Sequence, residues 1–260
     1  MKLIKICLAA VTVLISSVSV YAQENDDKKL FNHLSVGVNI GTPGIGLDVA
    51  MPAGHYVQLR AGIAIMPTFK ASTALDINQP SVDIEGVNMN FPSSVDIEGK
   101  TGFTNGKILV DVYPFKRSSF HLTAGAYFGS SKIVEAYNKE DGILSDITEY
   151  NNQVSESEKI GYELGDYLLT PDANGNINAN IKTTSFKPYV GLGFGRAVPN
   201  KRVGFMFELG CMFWNSPKLY CNGDQLTENN VSGDAGGIIK TMSKITVYPV
   251  LNFRICGRIF

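Results

Sequence analysis

The sequence predicts an all-β chain folded as a transmembrane, antiparallel, up-and-down β-barrel of eight strands, with ten as the alternative count. Three observations predict it: a secretory leader, eight segments with strictly alternating apolar residues, and connections that are short and long by turns.

The leader comes first in the chain. Lys2 and Lys5 make a small basic region, and an apolar run follows from Leu8 to Val20. Val20-Tyr21-Ala22 then places small side chains at the −3 and −1 positions of a signal-peptidase site. The run is shorter than the roughly 20 residues a spanning helix needs. Residues 1–22 therefore read as a cleaved signal peptide, with the mature chain starting near Gln23. Cys7 precedes the apolar run, so it cannot be a lipoprotein's acylated cysteine. Residues 23–32 read as a short periplasmic tail, too small to bind peptidoglycan as a domain.

Composition narrows the class of the remainder. A formal net charge of −1 gives no electrostatic argument for nucleic acid, and no basic run is present that would hold anionic lipid headgroups. Glycine is abundant, with 26 residues, and no second stretch approaches helix-spanning length. Such a secreted chain is either a soluble all-β domain or an outer-membrane barrel. After the leader, Cys211, Cys221 and Cys256 remain. The odd count argues against a disulfide framework, and Cys211 and Cys256 fall in opposite phases of their strands, so no bridge is predicted.

The strands follow in order. In residues 34–41, Leu34, Val36, Val38 and Ile40 oppose Ser35, Gly37, Asn39 and Gly41. In residues 44–51, Ile45, Leu47, Val49 and Met51 oppose Gly44, Gly46, Asp48 and Ala50. In residues 56–66, Val57, Leu59, Ala61, Ile63 and Ile65 oppose Gln58, Arg60 and Gly62. The fourth segment sets Ile108, Val110 and Val112 against Lys107, Asp111 and Tyr113; the fifth sets Phe120, Leu122, Ala124, Ala126 and Phe128 against His121, Thr123, Gly125 and Gly129. In the sixth, Phe186, Val190, Leu192 and Phe194 oppose Lys187, Tyr189, Gly191, Gly193 and Gly195. The seventh sets Val203, Phe205, Phe207, Leu209, Cys211 and Phe213 against Gly204, Glu208 and Gly210. In the eighth, Ile245, Val247, Leu251, Phe253 and Ile255 oppose Tyr248, Asn252 and Arg254.

Period two alone also suits a soluble sandwich with its apolar face inward. Several segments, however, reach the roughly 9–11 residues a tilted strand needs to cross hydrocarbon. Connections at 52–55, 115–118 and 198–202 are tight, whereas 70–102, 137–184 and 216–241 are long. Short periplasmic turns and long extracellular loops are the pattern of an outer-membrane barrel, and a sandwich has no reason to sort its loops by parity. The first outer connection, Thr42-Pro43-Gly44, departs from this by being very short. In lipid a free strand edge has no water to satisfy it, so the sheet must close.

Eight strands leave a lumen just wide enough for side chains to fill. The lumen set holds Asp48, Asp111 and Glu208 together with Arg60, Lys107, Lys187 and Arg254. Buried charges must pair, so these seven predict a structural charge network that plugs the barrel. Two aromatic girdles are expected: Phe69, Phe103, Phe128, Phe186, Phe213 and Trp214 at the outer ends, and Tyr56, Tyr113, Phe115, Phe120 and Phe205 at the periplasmic ends.

Three stretches carry a resemblance: Phe186-Lys187-Pro188-Tyr189-Val190-Gly191-Leu192-Gly193-Phe194-Gly195, Leu109-Val110-Asp111-Val112-Tyr113-Pro114-Phe115, and the terminal Phe260. In layout and strand texture the chain resembles the small outer-membrane β-barrel proteins of Bacteroidetes, of the OmpA/OmpX-like eight-stranded kind. That resemblance implies the outer membrane, and a terminal aromatic read by the barrel-assembly machinery. Phe260 departs from the pattern by falling out of phase with Phe253, Ile255 and Ile259, unless a bulge at Gly257 restores the register.

Candidate sites outside the lumen are weaker. The repeat Ser81-Val82-Asp83-Ile84-Glu85-Gly86 and Ser94-Val95-Asp96-Ile97-Glu98-Gly99 could pair as a hairpin and gather four carboxylates for calcium. A solvated strand pair is the expectation, and no metal or cofactor is predicted. Asp172-Ala173-Asn174-Gly175-Asn176 reads as a polar turn, since its glycine comes too early for an EF-hand and no bidentate glutamate follows. Residues 155–164 read either as a short helix or as extended arms of strands five and six, the source of the ten-strand alternative. Catalysis at the outer rim needs a histidine there, and neither His33, His55 nor His121 is so placed. His121 is expected instead to be a hydrogen-bond partner in the lumen. The expectation is a structural or surface-interaction protein of the outer membrane acting through its long loops, not an enzyme, with membrane lipids and an unidentified surface ligand as partners. A small-solute pore or transporter is the alternative.

Overall fold

The computed structural model describes residues 31–76, 81–84, 87–155, 157–164, 167–226 and 245–259. Residues 1–30, on which the expected signal peptide and most of the expected tail fall, and Phe260 lie outside them. The described residues form eighteen strands and one helix, numbered in chain order. Eight strands close a barrel: β1 (Ser35–Gly41), β2 (Gly44–Pro52), β3 (Val57–Ile65), β8 (Thr104–Val112), β9 (Phe120–Gly129), β14 (Phe186–Gly195), β15 (Val203–Phe213) and β18 (Val247–Arg258). Each pairs antiparallel with its neighbours along the chain, and β1 seals the cylinder on β18 with Val38 opposite Ile255.

The pleat sorts side chains in the sense the periodicity predicts. Along β2 residues alternate buried and exposed without a break. Leu47 and Phe205 are 54% and 61% exposed, while Arg60, Lys107 and Arg254 are at most 1% exposed. Large apolar side chains thus cover the outside of every barrel strand, a patch far beyond the few hundred Å² that soluble monomers expose. The charges lie inside. Glycines on the inner face give the large side chains room: a methyl group at Gly37 would fall on the Arg254 guanidinium, and one at Gly191 or Gly210 on the Tyr189 phenol.

One end of the barrel carries the tight turns; the other, the arm end, carries the long connections. These are not open loops. They rise as β4 (Phe69–Asp76), β7 (Ser94–Thr101), β10 (Lys132–Asn138), β13 (Asn178–Lys182), β16 (Lys218–Cys221) and β17 (Asp224–Gln225), which form one sheet in the order β17-β16-β13-β10-β7-β4. The arms therefore extend the barrel without adding strands to it. With only Thr42-Pro43 between β1 and β2, no arm rises on that side, and the sheet stays open.

The helix α1 (Ser145–Asn151) packs on the inner face of this sheet. Leu144 and Ile147 are fully buried beside Val95, Ile97, Ile160, Tyr162, Leu169 and Cys221. The helix lies before 155–164, the stretch in which the sequence suggests one. There the described residues turn at Glu158, whose N–H donates to the Ser155 carbonyl, and become extended as β11 (Tyr162–Leu164), paired with β12 (Tyr167–Leu169). The buried stripe of α1 starts at Leu144 and repeats at Ile147 and Asn151, a helical spacing, and Asn151 clamps the Ile160 N–H and C=O at 2.7 Å each. The expected pairing of the two acidic repeats is also corrected. Ser94–Thr101, here β7, pairs with β4 and β10, whereas β5 (Ser81–Ile84) pairs with β6 (Val87–Asn90), so the two repeats do not pair with each other; Glu85 lies outside the described residues. Asp172 forms the expected polar turn, its Oδ1 accepting the Asn174 and Asn176 N–H groups at 2.9 Å each, with Gly175 at φ 73°.

Candidate functional site in the barrel lumen

Two linked ion clusters fill the middle of the barrel. In the first, Asp48 on β2 accepts from Arg254 Nε at 2.6 Å, Lys107 Nζ at 2.9 Å and Asn39 Nδ2 at 3.0 Å. In the second, Arg60 on β3 meets Asp111 at 2.7 Å and also bridges to Glu208. Thr123 donates to Asp111 at 2.8 Å, and Tyr189 donates to the other Glu208 oxygen at 2.7 Å. Each partner stands on a different strand of the closed sheet, so closure itself assembles the site. Three carboxylates face three cations, which leaves no net charge to desolvate.

Lys187 is the correction to this set. It is buried in the lumen but sits near the arm end, where its ammonium donates to Asn105 Oδ1 at 3.1 Å and the Ser130 carbonyl at 2.9 Å. No carboxylate among the described residues pairs with it. His121 is fully buried, its Nε2 3.6 Å from Glu208 and its Nδ1 3.4 Å from the Ser119 carbonyl. Asp111, His121 and Glu208 offer ligand atoms within 4.8 Å of one another. Arg60 already supplies the positive charge that such a trio would seek from a metal.

The turn between β14 and β15 reads in the sequence as an ordinary short connection. It folds into the barrel mouth instead, burying Ala197, Val198 and Pro199. Arg254 Nη1 donates to the Ala197 carbonyl at 2.9 Å, and the Ala197 N–H donates to Tyr113 Oη at 3.0 Å. The Val198 N–H donates to Gln58 Oε1 at 2.9 Å, and the Arg196 guanidinium lies 4.9 Å from the Tyr113 ring centre. Toward the arm end Ala64, Leu109, Tyr127, Tyr189, Met212 and Val250 form an apolar layer, with Tyr127 and Tyr189 edge-to-face at 5.4 Å. From mouth to arms, the lumen is filled by the turn, the ion clusters and this layer.

Gln58, Tyr113, Thr123 and Tyr189 stand in the lumen phase and were legible as inward-facing. Only their partners were hidden. Tyr113 and Phe103 correspondingly leave the expected girdles. Tyr113 is 1% exposed inside the mouth, and Phe103 turns inward against Tyr248, with ring centres 6.2 Å apart. Phe128 and Phe186 at the arm end, and Phe115 and Phe205 at the turn end, do face outward, whereas Phe69, though exposed, stands opposite Thr101 on the other face of the arm sheet from Lys70. Cys211, Cys221 and Cys256 are all free thiols.

No family model matches the chain, and no curated protein matches it. Among solved structures it is similar to CarO of Acinetobacter baumannii (17% identity, TM-score 0.46, 90% of this chain and 99% of that one). It is also similar to CarO2 of the same organism (18%, TM-score 0.45, 87% and 98%). A third similarity is to a major outer membrane protein of Thermus thermophilus (16%, TM-score 0.31, 87% and 98%). At these identities and scores the comparisons do not decide a family.

Proposed function

We propose that the chain is an integral outer-membrane barrel whose lumen is plugged, and that it serves a structural or surface-interaction role through the sheet above the membrane rather than as an enzyme. The observation that carries this reading is the inversion of the barrel, with bulky apolar side chains outside and paired charges inside. Water would penalise that exterior heavily; hydrocarbon favours it, and only a closed sheet survives there. The plugged lumen argues against free passage of solutes. With His121 buried, and His33 and His55 near the turn end, no histidine among the described residues stands at the outer rim.

Two measurements test this reading. The refolded protein is expected to need detergent or lipid, and to migrate faster on unheated than on boiled denaturing gels, as a closed barrel does. In planar bilayers it is expected to give no steady conductance. A mature chain that is monomeric in plain buffer overturns the membrane assignment; a large, steady conductance overturns the plug.

A further inference from the structure

The arm sheet brings together lysines that are far apart in the sequence. Lys132 on β10, Lys182 on β13 and Lys218 on β16 stand directly opposite one another across three adjacent strands. Lys70 on β4 stands opposite Lys100 on β7 in the same manner. Residues directly opposite in an antiparallel pair share a face, and like charges placed so repel. This is the outward face, since the inward positions Val95, Ile97, Leu219 and Cys221 are buried in the core. It continues the apolar exterior of the barrel. No basic run marks it in the sequence; strand register alone assembles it.

Height and neighbouring charge give the row a meaning. Lys132 lies four residues beyond Phe128, Lys182 four before Phe186, and Lys218 four beyond Trp214. Each stretch leaves the strand between its two residues, so four residues span at most about 13 Å, or at most about 10 Å of height at a tilt of roughly 40°. That places the ammonium groups above the aromatic boundary, where lipid headgroups lie. Four acids share the face: Glu98, 2.8 Å from Lys70, and Glu135, 3.1 Å from Lys132, at the level of the lysines, and Asp96, 3.7 Å from Lys139, and Asp76 farther from the barrel. At the barrel end of the face Lys132, Lys182 and Lys218 stand with Glu135, and Lys70 and Lys100 with Glu98, which leaves that end positive. Lys182 lies 4.3 Å from the Tyr220 ring centre, and Lys218 reaches Gln225 Oε1 at 3.1 Å, so neither is neutralised by these contacts.

We propose that this lysine row binds the phosphate groups of anionic lipids in the outer leaflet. The proposal rests on the membrane placement given above. Phosphate oxygens in the row relieve the cross-strand repulsion, and the apolar exterior below holds the acyl chains of the same lipid.

Trp214 packs on Tyr248 toward the inner side, so the test starts from a protein with native lysines in which W214F and F186W make the outward position 186, four residues before Lys182, the lipid reporter. The full-length mature protein is inserted into phosphatidylcholine vesicles containing either bromine-labelled phosphatidic acid or bromine-labelled phosphatidylcholine, both of which quench tryptophan at contact. Phosphatidic acid is expected to be preferred at least fivefold. In a variant carrying K132Q, K182Q and K218Q the preference falls to near one, while the matching Lys→Arg variant keeps it. These lysines lie on the outer face, so the variants keep the barrel, as gel mobility checks. Equal quenching by both lipids in the protein with native lysines, or an undiminished preference in the glutamine variant, overturns the proposal. Quenching by neither lipid shows instead that the chain does not insert, and the membrane reading falls with it.

Discussion

At the scale of single residues, Arg60 holds the most consequential position. It stands between Asp111 and Glu208 on strands that are remote in sequence. Arg60→Met removes the cation but leaves two buried carboxylates, at a cost of about 3–5 kcal/mol. Urea unfolding in lipid vesicles is expected to show that loss. Replacing Arg60, Asp111 and Glu208 together by apolar residues of similar volume should recover most of it, because no orphan charge remains. Cys221 makes a second prediction. Burial pushes its thiol up to about 11, aided by the nearby Asp172 and Asp224 carboxylates. The folded state thus favours the protonated thiol. Its contribution to stability is complete below the ordinary thiol pKa near ~9 and is lost as pH rises toward about 11. At about pH 8, below that ordinary value, alkylation of Cys221 should be far slower in folded than in denatured protein; equal rates would show the thiol to be exposed.

At the scale of elements, the arm sheet and α1 behave as a packed unit with its own core. Ile147→Asn places an amide among Leu144, Ile160 and Leu169, where an unpaired polar group costs roughly 1–3 kcal/mol. Limited proteolysis should then cut within residues 137–184 while the barrel strands stay protected. Cleavage spread equally over both would mean that they unfold together. The pairing of Lys70 with Glu98 gives the same sheet a pH dependence. The Lys70 ammonium, with the Tyr137 hydroxyl, holds the Glu98 carboxyl below its ordinary range. A depressed carboxylate stabilises above its unfolded pKa and loses that contribution as pH falls through the folded value. The effect is confined to acid pH and is weak at an exposed pair.

At the scale of the whole molecule, the lumen is closed in three layers rather than by one gate. Arg254→Ala combined with Gln58→Ala removes two side chains that hold residues 197 and 198 in the mouth. The variant is expected to expose this turn to protease yet stay silent in planar bilayers, because Arg60 with its partners and the Tyr127–Tyr189 layer still fill the bore. A steady conductance from that variant would make the turn the seal.

Leader, strand pattern and alternating connection lengths together pointed to a closed barrel of eight strands, with ten left as the alternative, and the pattern put Asp48, Arg60, Lys107, Asp111, Glu208 and Arg254 on its inner face. Alternation is a local property, and a side chain's face follows from its position in its own strand. Which inward residues meet was decided only by tertiary structure. Pairing across β2, β3, β8, β15 and β18 depends on register and stagger, so Lys187 falls outside the ion clusters although its phase is right. The same reason hid the turn at 196–199, the fold of the long connections and the lysine row. Each forms from segments brought level by the sheet, and separation along the chain carries no record of height in a barrel.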